Sequence, residues 1–171
     1  MKKLLLVTAA CAVLAACGSK DDDVVSASGD IVEDTTPSNT VADDDLDLVE
    51  LPGAQADLIA AAGSDTIYFM TDQYNLESDA RATLEAQARW MIANPSVNAS
   101  IEGHADERGT REYNLALGEQ RANAAREYLV SMGVPNNRLT TVSWGKERPV
   151  ALGSDEQAWA QNRRSVTVVV R

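Results

Sequence analysis

Asp106 and Arg121 are the two side chains in this sequence best placed to do chemistry on a ligand. They lie in the stretch IEGHADERGTREYNLALGEQRANAA, Ile101 to Ala125, with the chain's one histidine, His104, and with Gly103, Gly109 and Gly118. A helix starting after Thr110 places Asn114, Leu117, Arg121, Ala124 and Tyr128 at steps of three and four, so they share a face. That face carries the apolar contacts, and a guanidinium desolvated on it needs an anion or other acceptors. The loop before the helix supplies the Asp106 carboxylate, and Gly103 and Gly109 let the backbone approach closely. The helix start adds free N–H groups and a positive dipole end. Two arrangements follow. A zwitterion could put its carboxylate on Arg121 and the N–H groups and its ammonium on Asp106. Alternatively, Arg121 and Asp106 could form a structural bridge. Spacing leaves both open.

Other chemistries fit these residues less well. His104 with Asp106 and Glu107 is a poor zinc set, because no further His or Cys follows Cys17. Nucleophilic catalysis needs a base beside Ser or Cys, yet no serine adjoins His104 and no G-x-S-x-G occurs. Glu102, Asp106 and Glu107 read more simply as strand-edge and loop residues than as a glycosidase pair. The expectation is a binding module, not an enzyme, with no metal and no cofactor. A periplasmic wall hydrolase is the alternative from a different class.

The elements that must position these residues follow from period and punctuation. Thr66 to Met70 is a short β-rich run. Ser78 can cap a helix reaching about Ala93, with Leu84, Ala88, Met91 and Ile92 on one face and Pro95 as the stop. Val97 to Gly103 alternates as a strand. Thr110 can cap the helix that reaches Met132 and ends at Gly133. Leu139–Trp144 reads as a strand, Asp155–Asn162 as a short helix and Ser165–Val170 as a buried last strand. The order β-α-β-α-β-α-β predicts an α/β two-layer sandwich, with helices over one face of a four-stranded mixed sheet.

Charge and the N-terminus divide the 171 residues into three parts. Met1-Lys2-Lys3 followed by the apolar run Leu4–Ala16 is too short to span a bilayer and reads as a signal segment, 1–16. Residues 17–56 carry eleven acids against Lys20, with Pro37 and Pro52 and no aromatic residue. Such a segment cannot bury enough surface to offset its ordering entropy and reads as an acidic tether. An acidic docking motif around Asp43–Glu50 is the alternative. Residues 57–171 carry 15 acids and 12 bases and form the expected domain. No basic stripe suits a nucleic-acid surface.

Leu14-Ala15-Ala16-Cys17-Gly18 resembles a bacterial lipobox, which implies cleavage before Cys17 and its acylation. Gly18, rather than Asp, implies sorting to the outer membrane. The alternative is a signal with an incidental cysteine.

GHADERGTREYNLALGEQRANA resembles the peptidoglycan-binding signature of OmpA C-terminal-like domains, and especially that of the peptidoglycan-associated lipoproteins (Pal) within them. Tyr68-Phe69, Trp144–Pro149 and Asn162-Arg163-Arg164 match further family segments in the same order, so the resemblance covers about residues 57–171. It implies non-covalent binding of the diaminopimelate residue of the peptidoglycan stem peptide. It implies Asp106 and Arg121 as the principal ligand residues, with Thr110, Asn114, Leu117 and Asp72 lining or shaping the site. Asn162 and Arg163 or Arg164 are implied to support it from the start of the last strand. The resemblance also implies an outer-membrane lipoprotein facing the periplasm, with TolB and other Tol-Pal components as partners, acting in envelope integrity and cell division. A stand-alone OmpA-like lipoprotein without Tol partners is the alternative. The chain departs from the family pattern at Met70-Thr71, Arg111 and Gln120.

Overall fold

Alternation and helical period are both obeyed over the residues that the computed structural model describes, 51–171. The signal segment, Cys17 and most of the tether lie outside the described residues. Helix α1 spans Pro52–Ala62, strand β1 Thr66–Tyr68, α2 Ser78–Ala93 and β2 Asn98–His104. Then come α3, Arg111–Ser131, a 3-10 turn at Asn136–Arg138, β3 Leu139–Gly145, α4 Glu156–Asn162 and β4 Arg164–Val170. The sheet order is β1-β4-β2-β3. β2 and β3 are parallel, and β4 is antiparallel to both β1 and β2. This is the expected mixed four-stranded α/β sheet: the β2–α3–β3 crossover returns β3 parallel to β2, whereas β4, after α4, enters between β1 and β2 antiparallel to both.

Local chemistry sets the helix ends. Thr110 caps α3 as its spacing predicts, its hydroxyl accepting from Tyr113 N at 3.2 Å. Asp155 caps α4 in the same way through Ala158 N at 2.8 Å. Ser78 does not cap α2. The cap position is Glu77, without a side-chain bond, and Ser78 is the first helical residue with its hydroxyl on Asp79. Arg138 closes the far end of α2, donating to the carbonyls of Met91, Asn94 and Val97 at 2.6–3.0 Å. It thereby satisfies acceptors a helix leaves open.

The sequence pattern did not reveal α1. It starts at Pro52, a residue pre-set for a first helical turn, so the boundary expected at 56/57 falls inside a helix. β1 pairs with β4 only over 164–166, leaving the edge beyond unpaired. The start of α1 covers that edge: Leu51 N donates to Val169 O at 3.2 Å. The Gln55 amide acts as a short strand, accepting from Val169 N at 2.7 Å and donating to Thr167 O at 3.0 Å.

The core lies between the sheet and α2 and α3. Ile67, Phe69, Leu84, Met91, Ile101, Leu129 and Leu139 are buried there. α3 can lie this close to β2 only because Gly103 and Gly118 meet where side chains would collide. Ser143 at the same crossing donates to the Leu115 carbonyl at 2.6 Å. The helix that carries Arg121 is therefore fixed to the sheet by direct backbone approach.

Candidate functional site

The β2–α3 loop and the β1–α2 loop face each other across the N-terminal end of α3. Thr71 and Asp72 on one side and Arg108, Gly109 and Tyr113 on the other enclose an open groove of about 240 Å³. Asp106 stands behind it and is buried. Its Oδ1 accepts from Arg108 N at 3.1 Å and from Arg108 Nε at 3.0 Å, and its Oδ2 from Arg108 Nη2 at 2.6 Å. Arg163 Nη1 lies 3.5 Å from the same Oδ2. Burial alone would raise the Asp106 carboxyl. The hydrogen bonds and charge of Arg108, with Arg163 beyond them, outweigh burial and hold it below the usual carboxylate range. Asp106 is therefore an anion at neutral pH.

Arg121 does not form the structural bridge to Asp106 that spacing left open. It is fully buried, and its guanidinium donates to Gln73 O at 2.9 Å, His104 O at 2.8 Å and Met70 O at 3.2 Å. It also lies over the Phe69 ring at 5.1 Å. Asp106 is bridged by Arg108 and Arg163 instead. Burial lowers the Arg121 pKa to about 10, with Asp106 opposing the shift, so the group stays cationic. Arg121 thus ties the β1–α2 loop to the end of β2 and holds both walls of the groove together.

Most of the other sequence-predicted residues meet here. Asn114 donates to Arg108 O at 2.7 Å and shapes the loop. Thr110 starts the helix, and Leu117 is buried two turns on. Asp72 has the one positive φ, 53°, among the described non-glycine residues, and its carboxylate accepts from Tyr113 OH at 3.4 Å. Backbone held in that region carries a cost that the surrounding contacts must offset. Arg163 is buried and reaches Phe69 O at 3.1 Å and Glu156 at 2.7 Å. Two residues fall elsewhere. Asn162 brackets the loop after β3, accepting from Val150 N and Ala151 N and donating to Ala151 O. Arg164 points to the opposite face of the sheet, because neighbours on a strand alternate, and it donates to Arg148 O at 3.2 Å.

Arg108, Tyr113 and Trp159 were not singled out from the sequence. Arg108 had a signal: an aspartate two residues before it can accept its backbone N–H in an Asx turn. Trp159 had none. It lies under the Arg108 guanidinium at 4.1 Å and donates to Glu107 at 3.0 Å, a contact across 52 positions.

On the sheet's open face, His104 is buried with both ring nitrogens unpartnered, 3.6 Å from Glu102 on its own strand. Trp144 on β3, Arg148 after it and Arg164 on β4 share this environment. Burial pushes the His104 pKa below its ordinary 6.5. Glu102 opposes that shift, and Arg164 and Arg148 reinforce it. The unfolded chain therefore takes up a proton near pH 6.5 that the fold resists. The melting temperature should be level above that pH and fall as the pH drops through it. His104→Gln should lack this step, and a thermal scan at several pH values would show the difference.

These residues sit on a fold that recurs in known proteins. The OmpA family pattern matches residues 68–163, and the chain belongs to the OmpA family. It is 57% identical over 118 residues to a peptidoglycan-associated lipoprotein of Rhizobium meliloti (strain 1021). That match takes in 69% of this chain and 66% of the relative, just under two thirds of its length. It is 38% identical over 164 residues, 96% of this chain and 95% of the relative, to the peptidoglycan-associated lipoprotein of Haemophilus influenzae. Among solved structures it is similar to the peptidoglycan-associated lipoprotein from Burkholderia pseudomallei. That similarity has a TM-score of 0.61 and 45% identity over 63% of this chain and 91% of the other. The C-terminal domain of Helicobacter pylori MotB, at 21% identity and a TM-score of 0.58, shares the fold alone, over 63% of this chain and 84% of that one.

Proposed function

We propose that this chain is a lipid-anchored envelope protein that grips peptidoglycan without cleaving it. The observation that carries the reading is an ionised, buried carboxylate, Asp106, behind an open groove in a domain whose relatives are named peptidoglycan-associated lipoproteins. A diaminopimelate side chain ends in an ammonium beside a carboxylate, and Asp106 suits the ammonium. Thr110, Asn114, Leu117 and Asp72 shape the walls, and Arg163 supports Asp106 from the junction between α4 and β4. Arg121 acts in this conformation by holding the two loops. Asn162 and Arg164 belong to the surrounding framework.

In this reading Cys17 is acylated, residues 18–50 bridge the distance to the wall, and the domain faces the periplasm from the outer membrane. Membership of a Tol-Pal system, with TolB as partner and a part in envelope integrity and division, rests on the resemblance of sequence. Catalysis is not part of the proposal.

A pull-down with isolated sacculi tests the core of it, using the mature chain with Cys17→Ser so that no lipid contributes. The wild-type site should co-sediment, and Asp106→Asn should not. Losing a charge-assisted contact costs about 1.5–3 kcal/mol, or roughly ten- to a hundred-fold in affinity. Equal sedimentation of the two proteins would end the assignment.

A further inference from the structure

The chain enters the domain at Leu51, and β4 fixes where that is. Leu51 N donates to Val169 O at 3.2 Å. Val169 pairs with Ala99 near the start of β2, whereas Ser165 pairs with Gly103 near its end. Asp106 lies two residues beyond His104, where β2 stops. The point of entry and the groove therefore sit at opposite ends of the sheet, and a pull between them runs along the strands.

α1 is the first element such a pull meets, and few contacts hold it. The Gln55 amide donates to Thr167 O at 3.0 Å and to Asp65 Oδ2 at 2.9 Å, and it accepts from Val169 N at 2.7 Å. Leu58 is the one buried residue of the helix. No α1 residue belongs to the core cluster between the sheet, α2 and α3. Beyond Gly63 the chain is tied down again: Ser64 O accepts from Gln87 at 3.0 Å and Asp65 O from Thr167 N at 2.9 Å. A pull at Leu51 loads the α1 contacts one after another, Leu51 first, then Gln55, then Leu58. The β2–β4 ladder lies along the pull over six paired residues, so its hydrogen bonds share the load and must break together.

We infer that α1 is a releasable strap: tension on the N-terminal segment peels residues 51–63 from β4 and lengthens the link while the groove stays assembled. The inference rests on the proposed reading, in which lipid at Cys17 holds one end and the wall holds the other. The eleven residues of α1 measure about 17 Å as a helix and about 36–40 Å extended, a gain of roughly 20 Å. Peeling exposes little apolar surface, so it costs less than global unfolding.

Native-state hydrogen exchange on the mature Cys17→Ser chain tests the strap without lipid or wall. The amides of residues 55–63 should share one opening that low urea barely affects, while those of α3 exchange only by global unfolding. Gln55→Ala should speed exchange in both elements at least about tenfold, because it weakens the closed state from which both openings start. Ile101→Val, in the core, should speed α3 roughly two- to tenfold and leave α1 unchanged, because the core stays packed when the strap opens. A force–extension measurement on the mature chain, held at Cys17 and at an Arg111→Cys site beside the groove, should show a reversible step of roughly 20 Å before the main unfolding. Exchange of α1 at the global rate, equal acceleration of α1 and α3 by Ile101→Val, or unfolding without the early step overturns the strap. These outcomes bear on the strap alone, since neither measurement contains lipid or wall; the sacculus pull-down tests the reading it rests on.

Discussion

Gly103→Ala should lower the stability of the domain by more than about 3 kcal/mol, a large share of what a domain of this size has. A methyl group on Gly103 would overlap the carbonyl oxygen of Gly118 and press on the Ala122 side chain at 3.2 Å. The first of these neighbours is backbone in the middle of α3 and cannot rotate away. The helix would have to lift from β2, and with it Arg121, Asn114 and the capped start at Thr110. Gly118→Ala meets the same crossing from the other side, against Ser143 and the Gly103 carbonyl, and should behave alike. Gly53→Ala is the control: it lies in α1 with nothing within 4 Å of an added Cβ. Alanine is the better helix former, so this change should be neutral or slightly stabilising. Urea unfolding of the three variants measures the contrast. A Gly103→Ala midpoint within error of the wild type would mean that the close crossing does not bear on stability.

Arg121→Ala should also be severely destabilising, by about 3–5 kcal/mol. The substitution strips three backbone carbonyls of their donors, those of Met70, Gln73 and His104. It also leaves a cavity beside Phe69. Arg121→Lys should recover only part of the loss, since an ammonium cannot offer the planar fork to three acceptors spread over the β1–α2 loop and the end of β2. Sacculus binding should fall with the folded fraction, and any protein still folded should show a loosened β1–α2 loop by hydrogen exchange. A fully stable Arg121→Ala that had lost sacculus binding would instead make Arg121 a direct ligand group, as the resemblance alone implies.

Several features of this molecule were legible without coordinates because their causes are local. Thr110 caps α3 because its side chain reaches a backbone N–H three residues on. Apolar residues at Leu84, Ala88 and Met91 must face a core because they recur once per turn. The order of strands and helices pointed to the α/β class and a mixed four-stranded sheet, while which strands pair, and in which direction, did not follow from it. The charged loop after β2 followed by a capped helix, with Asp106 and Arg121 fifteen positions apart, marked where a site would form.

What remained hidden depended on contacts between distant segments. Spacing put Asp106 and Arg121 near one another, but not which acceptors each would find. Three carbonyls at Met70, Gln73 and His104 answered for Arg121, and Arg108 and Arg163 answered for Asp106. Strand alternation made one of Arg163 and Arg164 face the site and sent the other to the opposite side of the sheet; the register of β4 decided which. α1 lacks a patterned face, and its place comes from the β4 edge left open by a three-residue β1. Trp159 reached Arg108 only because α4 folds back over the loop. Local steric and hydrogen-bonding rules act over a few residues, so the sequence by itself determined the elements and the location of the site. Desolvation makes each buried charge take whatever partner the packing brings within reach, so only the tertiary structure decided its wiring.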